Sequence, residues 1–171
     1  NPHALAIKQD TANRLWFAIL KSGLLLYEND RFWQYTEKSG LLTNTVINLF
    51  LDDGKKVHWS FAEGFQRFNG PDMETFYIGK QLFKDKVNGM VPLDRNVNLL
   101  ATTINGLLLI HKGKVFKFST ANGFTSNSIS MIIKDATGKI WITTEKGIES
   151  FRINGVSVTD HRIYNESDGP Y

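Results

Sequence analysis

The sequence predicts an all-β fold, a β-propeller fragment of about four four-stranded antiparallel blades, and three features kept in phase predict it. An aspartate recurs at Asp10, Asp52, Asp94 and Asp135, in steps of 42, 42 and 41 residues. Six residues after each stands a bulky side chain (Trp16, His58, Leu100, Trp141), and six or seven further on a glycine (Gly23, Gly64, Gly106, Gly147). Short strand-like segments, not helix-length amphipathic stretches, fill the intervals. A period near 42 built from short strands is the signature of radially repeated sheets.

The fourth copy reads most clearly. Ile129, Ile132 and Ile133 mark an innermost strand expected to be buried on both faces. Asp135-Ala136-Thr137-Gly138 then turns the chain, because Asp accepts nearby backbone N–H groups and Gly takes the positive φ of a tight hairpin. The next strand, KIWITT, alternates Ile140 and Ile142 on one face with Trp141 and Thr143 on the other. Gly147 makes the second turn and IESFRI the third strand.

The first copy, AIKQDTANRLWFAILKSGLLLY, puts Asn13 near the place of the turn glycine and ends in the outer strand RFWQY. In the second copy His58 holds the Trp16 position, and in the third Leu100 does. A large side chain there is expected to pack between adjacent blades. The outer strand and loop from Arg31 to Asn44 align without a gap with Lys114 to Asn127, 83 residues on, so the pattern spans two repeats. The second blade is irregular here, and the fourth carries extra residues before NESDGPY. Blades are expected at about 1–43, 44–85, 86–126 and 127–171.

Composition bounds what these blades can do. At 171 residues, 42% hydrophobic and 12% aromatic, the chain can bury one sizeable core or two small ones. The net charge is +3, but Lys and Arg are scattered singly or in pairs such as Lys55-Lys56, so no basic stripe neutralises a phosphate backbone and nucleic acid is not expected as a partner. Cysteine is absent, which removes disulfides, thiolate zinc sites and cysteine nucleophiles. No apolar run reaches the roughly 18 to 20 residues of a membrane helix, so no membrane contact by this segment is expected. The sequence opens at Asn1-Pro2 without an initiator Met and reads as a piece of something longer.

A blade written Asn-x-Val/Ile, an apolar strand, Asp-x-x-Gly-x-Leu/Ile-Trp, then Gly-Leu/Ile and an aromatic strand resembles the two-component regulator propeller repeat. The matching residues are Asn44 and Asn127, then Asp135, Gly138, Trp141, Gly147 and Ile148 in the best copy, and Asp10, Trp16, Gly23 and Leu24 in the first. The stretch Trp141 to Thr144 reads Trp-Ile-Thr-Thr where the family has Trp-Ile-Gly-Thr, and the final Gly-Leu becomes Gly169-Pro170. The resemblance implies part of a seven-bladed ring in the periplasmic sensor region of a membrane-anchored hybrid histidine kinase, responding to products of polysaccharide breakdown. With only four copies in this sequence, association through exposed blade faces, with other blades or with another copy of the chain, is expected.

The periodic aspartates invite a reading as calcium ligands or acid–base catalysts, but one acid per blade at a strand turn spreads them around a ring, so the turn role is expected. DATGKIW also resembles the quinoprotein repeat and the sialidase Asp-box, whose Asp intervals are longer and shorter respectively, and neither fits four times. His3, His58, His111 and His161 share no ligand spacing, and no phosphate loop or nucleophile elbow is present, so no metal, cofactor or catalytic group is expected. Asn165-Glu166-Ser167 matches a glycosylation sequon of low specificity.

Ligand binding is expected on the rim formed by the second-to-third strand turns and the connections between blades. Those carry Lys21, Glu63, Asn105 and Lys146, together with Asn44 and Asn127 in TEKSGLLTN and TANGFTSN. Amides, charges and nearby rings suit an oligosaccharide, whose hydroxyls need donors and acceptors and whose faces stack on aromatics. The alternatives are a solvated loop set or a protein-interaction scaffold without a small ligand.

Overall fold

The computed structural model describes residues 3–69, 71–165 and 168. The sequon residues Glu166 and Ser167, and Gly169-Pro170, lie outside the described residues. The chain divides into two units, residues 1–87 and 88–171.

In the first unit, β1 (Ala4–Gln9), β2 (Leu15–Ile19), β3 (Gly23–Glu28) and β4 (Arg31–Tyr35) form one antiparallel sheet in chain order. A second is built from β5 (Asn48–Leu51), β6 (Val57–Ser60), β7 (Phe65–Asn69) and β8 (Asp72–Thr75). A small hairpin follows, β9 (Tyr77–Ile78) and β10 (Gln81–Leu82), in the stretch that breaks the repeat in the sequence.

Each sheet alternates as its period demands. Trp16, Ala18, Leu24 and Leu26 point from the first sheet onto Leu49, Val57, Trp59 and Phe61 of the second, and Leu41 and Val46 of the connection complete the core. Trp59 faces back into this core, while His58, next to it, points away; the one-residue offset between them in the sequence is a change of face.

The second unit repeats the plan. It holds β11 (Val87–Asp94), β12 (Val97–Thr102), β13 (Leu107–His111) and β14 (Lys114–Phe118), then β15 (Ile129–Lys134), β16 (Ile140–Thr144), β17 (Gly147–Asn154) and β18 (Ser157–Tyr164). Leu99, Ala101, Leu107 and Leu109 pack on Ile132, Ile140, Ile142 and Phe151, with Phe118 and Phe124 closing the edge. Each such fully buried aliphatic or aromatic side chain contributes roughly 1.5–3 kcal/mol. The extra residues of the fourth copy lengthen β17 and β18 to eight residues each around a turn at Gly155.

Two expectations are corrected. Strand β15 is buried on one face only: Ile129 and Ile132 are in the core, whereas Met131 is 63% and Ile133 61% exposed. A bulge between Ile129 and Met131 sets this phase, and strand alternation then sends Ile133 to the face opposite Ile132. Leu100 is not the counterpart of Trp16. The third copy has a shorter first hairpin, with its positive φ at Asn96, two residues after Asp94, where the others have it three residues after the acid, at Asn13, Lys55 and Gly138. The phase slips by one, so Leu99 occupies the core-facing place of Trp16 and Leu100 is buried on the other face.

Candidate functional site

Three of the four hairpin acids are hydrogen-bonded to their own turn and to the residue six places on. Asp10 Oδ1 accepts the backbone N–H groups of Ala12 (2.9 Å) and Arg14 (3.1 Å), while Oδ2 accepts Trp16 Nε1 (2.8 Å) and Arg14 Nε (2.7 Å). Asp135 does the same, taking Thr137 N–H, Thr137 hydroxyl and Lys139 N–H on Oδ1 and Trp141 Nε1 at 2.9 Å on Oδ2. Asp52 accepts Lys56 N–H at 2.8 Å and lies 3.2 Å from His58 Nε2. The bulky residue six places on is therefore the acid's hydrogen-bond donor as well as a packing group. That pairing explains why Trp and His recur there, which packing alone does not.

Asp94 stands apart. It is exposed, and among the described residues its carboxylate accepts only the adjacent Arg95 N–H, since the shifted hairpin offers it no indole.

These bonds leave an electrostatic signature. Burial pushes the Asp10 carboxyl up, but donors from Trp16 and Arg14 outweigh it and hold the group below the usual carboxylate range. Asp52 behaves likewise, with burial opposed by His58 and Lys56. The Trp141 indole and Thr137 hydroxyl hold Asp135 well below that range, and the Ser126 hydroxyl lowers Glu145. A folded pKa below the unfolded one means the stabilisation is complete above the unfolded value, about 3.9 for Asp, and drains away as pH falls through the folded value. Urea unfolding measured across pH is therefore expected to show a steep loss of stability below about pH 4. Asp135→Asn should make that acid limb shallower; an unchanged limb would contradict the assignment.

The glycines belong to the opposite end of each sheet. Gly23 has φ +82 and Gly106 φ +77, and a Cβ on either would strike the carbonyl oxygen of Tyr35 or Phe118. Gly147, at φ +125, would meet Tyr164 O at 2.7 Å. Gly23 and Gly106 donate their N–H groups at 2.8 Å to the carbonyls of Asn44 and Asn127. Gly64 donates to Asp85 O at 3.1 Å.

Each unit thus gathers its rim residues around one inter-blade loop. In the first unit the loop of residues 36–44 is a 3-10 turn in which Asn44 Oδ1 accepts Glu37 N–H and Glu37 Oε1 accepts Asn44 N–H, both at 2.9 Å. Lys21 flanks it through Gly23, and Glu63 through Gly64, whose added Cβ would lie 2.6 Å from Leu42 Cδ1. In the second unit Asn127 Oδ1 accepts Thr120 N–H at 2.9 Å, Asn105 lies on the turn bonded to Asn127 O, and its Oδ1 accepts Lys117 Nζ at 3.0 Å. Lys146 follows Glu145, whose Oε1 accepts the Ser126 hydroxyl at 2.6 Å. Lys21, Glu63 and Lys146 are exposed.

Two supporting residues escaped the sequence reading. Gln66 accepts Leu42 N–H at 3.2 Å and donates to Gly40 O at 3.0 Å. Glu149, with its side chain fully buried, accepts Thr125 N–H (3.0 Å), the Thr125 hydroxyl (2.6 Å) and His161 Nε2 (2.6 Å). Both lie two residues after the turn glycine, where the first and third sheets carry Leu25 and Leu108. A polar residue alternating with leucine at that place was the available signal. It also accounts for the 83-residue period: an odd blade supplies the loop and the next blade supplies the acceptor that pins it.

With this geometry in place, the relatives can be compared. Residues 123–146, from the inter-blade loop through the Asp135 hairpin to the rim turn, match the model of the two-component regulator propeller. Over this stretch the chain matches a two-component regulator propeller repeat. Histidine kinase P4 of Formosa agariphila is 28% identical over 172 residues, an alignment that covers 91% of this chain and 12% of the kinase. A crystal structure described as the extracellular domain of a hybrid two-component system from B. thetaiotaomicron superposes with TM-score 0.76 at 19% identity, over 100% of this chain and 23% of that one. Virginiamycin B lyase from Staphylococcus aureus superposes with TM-score 0.71 at 13% identity, over 95% of this chain and 55% of the lyase. The same fold is thus shared with a two-component system and with a lyase, and the repeat sequence, not the fold, points to the two-component class. The chain spans about an eighth of the length of the kinase it matches. Among the described residues no helix is long and apolar enough to cross a membrane, and no group of three or more His, Cys, Asp or Glu is placed to hold a metal ion.

Proposed function

We propose that this chain is part of the non-catalytic, periplasmic sensor propeller of a two-component signalling protein, and that it binds an oligosaccharide-type ligand on its rim or transmits that binding. The similarity to a histidine kinase over 91% of the chain carries this reading, because it extends across the repeats instead of resting on one motif. In the first unit the ligand would meet Lys21, Glu63 and Asn44; in the second, Asn105, Lys146 and Asn127. Hydrogen-bonded loops such as 36–44 and 119–127 are suited to this, since a preorganised rim loses little entropy on binding. Signal would pass as a rigid-body shift of one propeller against its neighbour. Isothermal titration of the chain against a panel of oligosaccharides tests it: binding weakened by Lys146→Ala and Lys21→Ala supports the rim. A uniformly null panel would favour an interaction scaffold without a small ligand.

One observation supports a protein partner as well. The face of the first sheet opposite its core exposes Ile7 (54%) and Phe32 (64%), and Phe32 lies 4.9 Å from Tyr27 and 6.3 Å from Phe17. Its proposed cover is a further blade presenting a tryptophan face, as the Trp16 face meets the second sheet within the first unit. Sedimentation velocity should show association that rises with concentration and is abolished by Ile7→Lys with Phe32→Lys. A monodisperse monomer at all concentrations would contradict self-association.

A further inference from the structure

A cleft of about 460 Å³ opens in the first unit at the end of the sheets opposite the rim loops, between the Asp10 and Asp52 hairpins. Its volume falls in the roughly 300–1,000 Å³ range of small-molecule sites. One wall is aromatic: Trp16 stacks on Tyr35 at 6.0 Å, and Phe68 lies 5.0 Å from Trp16 and 5.4 Å from Tyr35. The mouth is cationic, carrying Arg14, Lys55 and Lys56.

Three cations against the single acid of the lining, Asp10, leave the cleft with an excess of positive charge. Asp10 is bonded to Ala12 and Arg14 N–H, Trp16 Nε1 and Arg14 Nε. The two Nη groups of Arg14 and the ammonium groups of Lys55 and Lys56 make no hydrogen bond among the described residues, and both lysines are exposed.

The corresponding cleft of the second unit serves as an internal control. It is as large, about 480 Å³, but its lining is mostly aliphatic (Leu93, Val97, Ile140, Ile153) with His111 in place of the three-ring wall, and its charged residues are Asp94, Asp135 and Lys134. Its Lys134 ammonium is spent on Pro92 O at 2.8 Å. The cation-and-aromatic character of the first cleft is therefore not a by-product of the fold. Three residues after the acid the hairpin backbone runs at positive φ, at Asn13 in the first copy, Lys55 in the second and Gly138 in the fourth, so position 55 accepts glycine.

We propose that this cleft binds a small organic anion that carries a six-membered ring, its carboxylate or sulfate held by Lys55, Lys56 and the free edge of Arg14 and a face of its ring laid against Tyr35 and Phe68. Lysine ammonium groups and an arginine edge favour an anion over a neutral ring, and the aromatic wall favours a ring over a bare ion. The site is at the end of the sheets opposite the oligosaccharide rim and is independent of it.

The test is a ¹H–¹⁵N chemical-shift titration of the whole chain with D-glucuronate, benzoate, D-glucose and inorganic sulfate, read at the Trp16 indole and the Lys55 and Lys56 amides. Saturable shifts with glucuronate identify an acidic sugar as the source of the chemistry, and shifts with benzoate an aromatic acid; either supports the proposal if affinity falls about tenfold or more in Lys55→Gly/Lys56→Gln. That variant keeps the hairpin, since glycine fits the positive φ of position 55. Shifts produced equally by glucose, by sulfate alone, or by the variant would overturn the proposal, as would no shift with either organic anion.

Discussion

Gly23→Ala and Gly106→Ala are expected to cost at least about 3 kcal/mol each, enough to unfold a marginal domain. Two separate effects add at these positions. The backbone runs at φ +82 and +77, which a Cβ makes costly by about 1–2 kcal/mol. The new methyl would also collide with a main-chain carbonyl, Tyr35 O or Phe118 O, which cannot swing aside as a side chain can. Relief would need the rim turn to move away from the inter-blade loop, and that breaks the 2.8 Å bonds from the glycine N–H to Asn44 O or Asn127 O. Urea unfolding is the measurement. Gly113→Ala is the matched comparison, because it shares a positive φ of +75 but has nothing within 4 Å of an added Cβ. It should lose only the conformational part. Equal losses at positions 106 and 113 would show that the close approach to Phe118 O contributes nothing.

Glu149→Leu is the second large effect, about 2–4 kcal/mol. The carboxylate is fully buried and satisfies three donors at 2.6 to 3.0 Å, two from Thr125 and one from His161. Leucine is close in size, so little packing is lost, but Thr125 N–H is left without its acceptor and the Thr125 hydroxyl keeps only the 3.4 Å contact to Thr144 Oγ1. His161 suffers less, because its side chain is 21% exposed and can bond to water. Glu149→Gln should cost far less, about 1 kcal/mol, since an amide oxygen still accepts, as Gln66 does for Leu42 N–H in the second sheet. Hydrogen exchange at the Thr125 amide separates the pinned-loop account from a general loss of core. Leu should speed exchange throughout residues 119–127, and Gln should leave it slow. If both variants unfold alike, the acceptor role assigned to position 149 is wrong.

The blades were legible in the sequence because each hairpin announces itself through residues that local chemistry restricts. Asp closes the first turn, a positive-φ glycine makes the second, and alternating apolar residues fill the strands between. Legibility failed where one insertion or deletion moved the phase. A hairpin one residue shorter after Asp94 leaves the aspartate spacing almost unchanged yet turns Leu100 away from the core and Leu99 into it. Spacing counts residues, whereas a strand records parity. Ile133 failed for a related reason, since the bulge between Ile129 and Met131 sets which face it takes. The rim residues Lys21, Glu63, Asn105 and Lys146 could be placed because turns follow from strand boundaries. Gln66 and Glu149 could not, because their role depends on which loop of the neighbouring sheet each one reaches. The cleft beside Lys55 and Lys56 was hidden as well, since its wall joins Tyr35 of one sheet to Phe68 of another.

Asp10, Asp52 and Asp135 hold their hairpins closed through the residue six places on. The most direct test compares the unfolding free energies of Asp10→Ala, Asp135→Ala and Asp94→Ala under one set of conditions. Asp10 and Asp135 each bond an indole N–H and several turn donors, whereas exposed Asp94 accepts only Arg95 N–H. A loss of about 2–4 kcal/mol is expected for Asp10, a clear loss for Asp135, and under about 0.5 kcal/mol for Asp94. A loss at Asp94 as large as at Asp10, or negligible losses at Asp10 and Asp135, would contradict it.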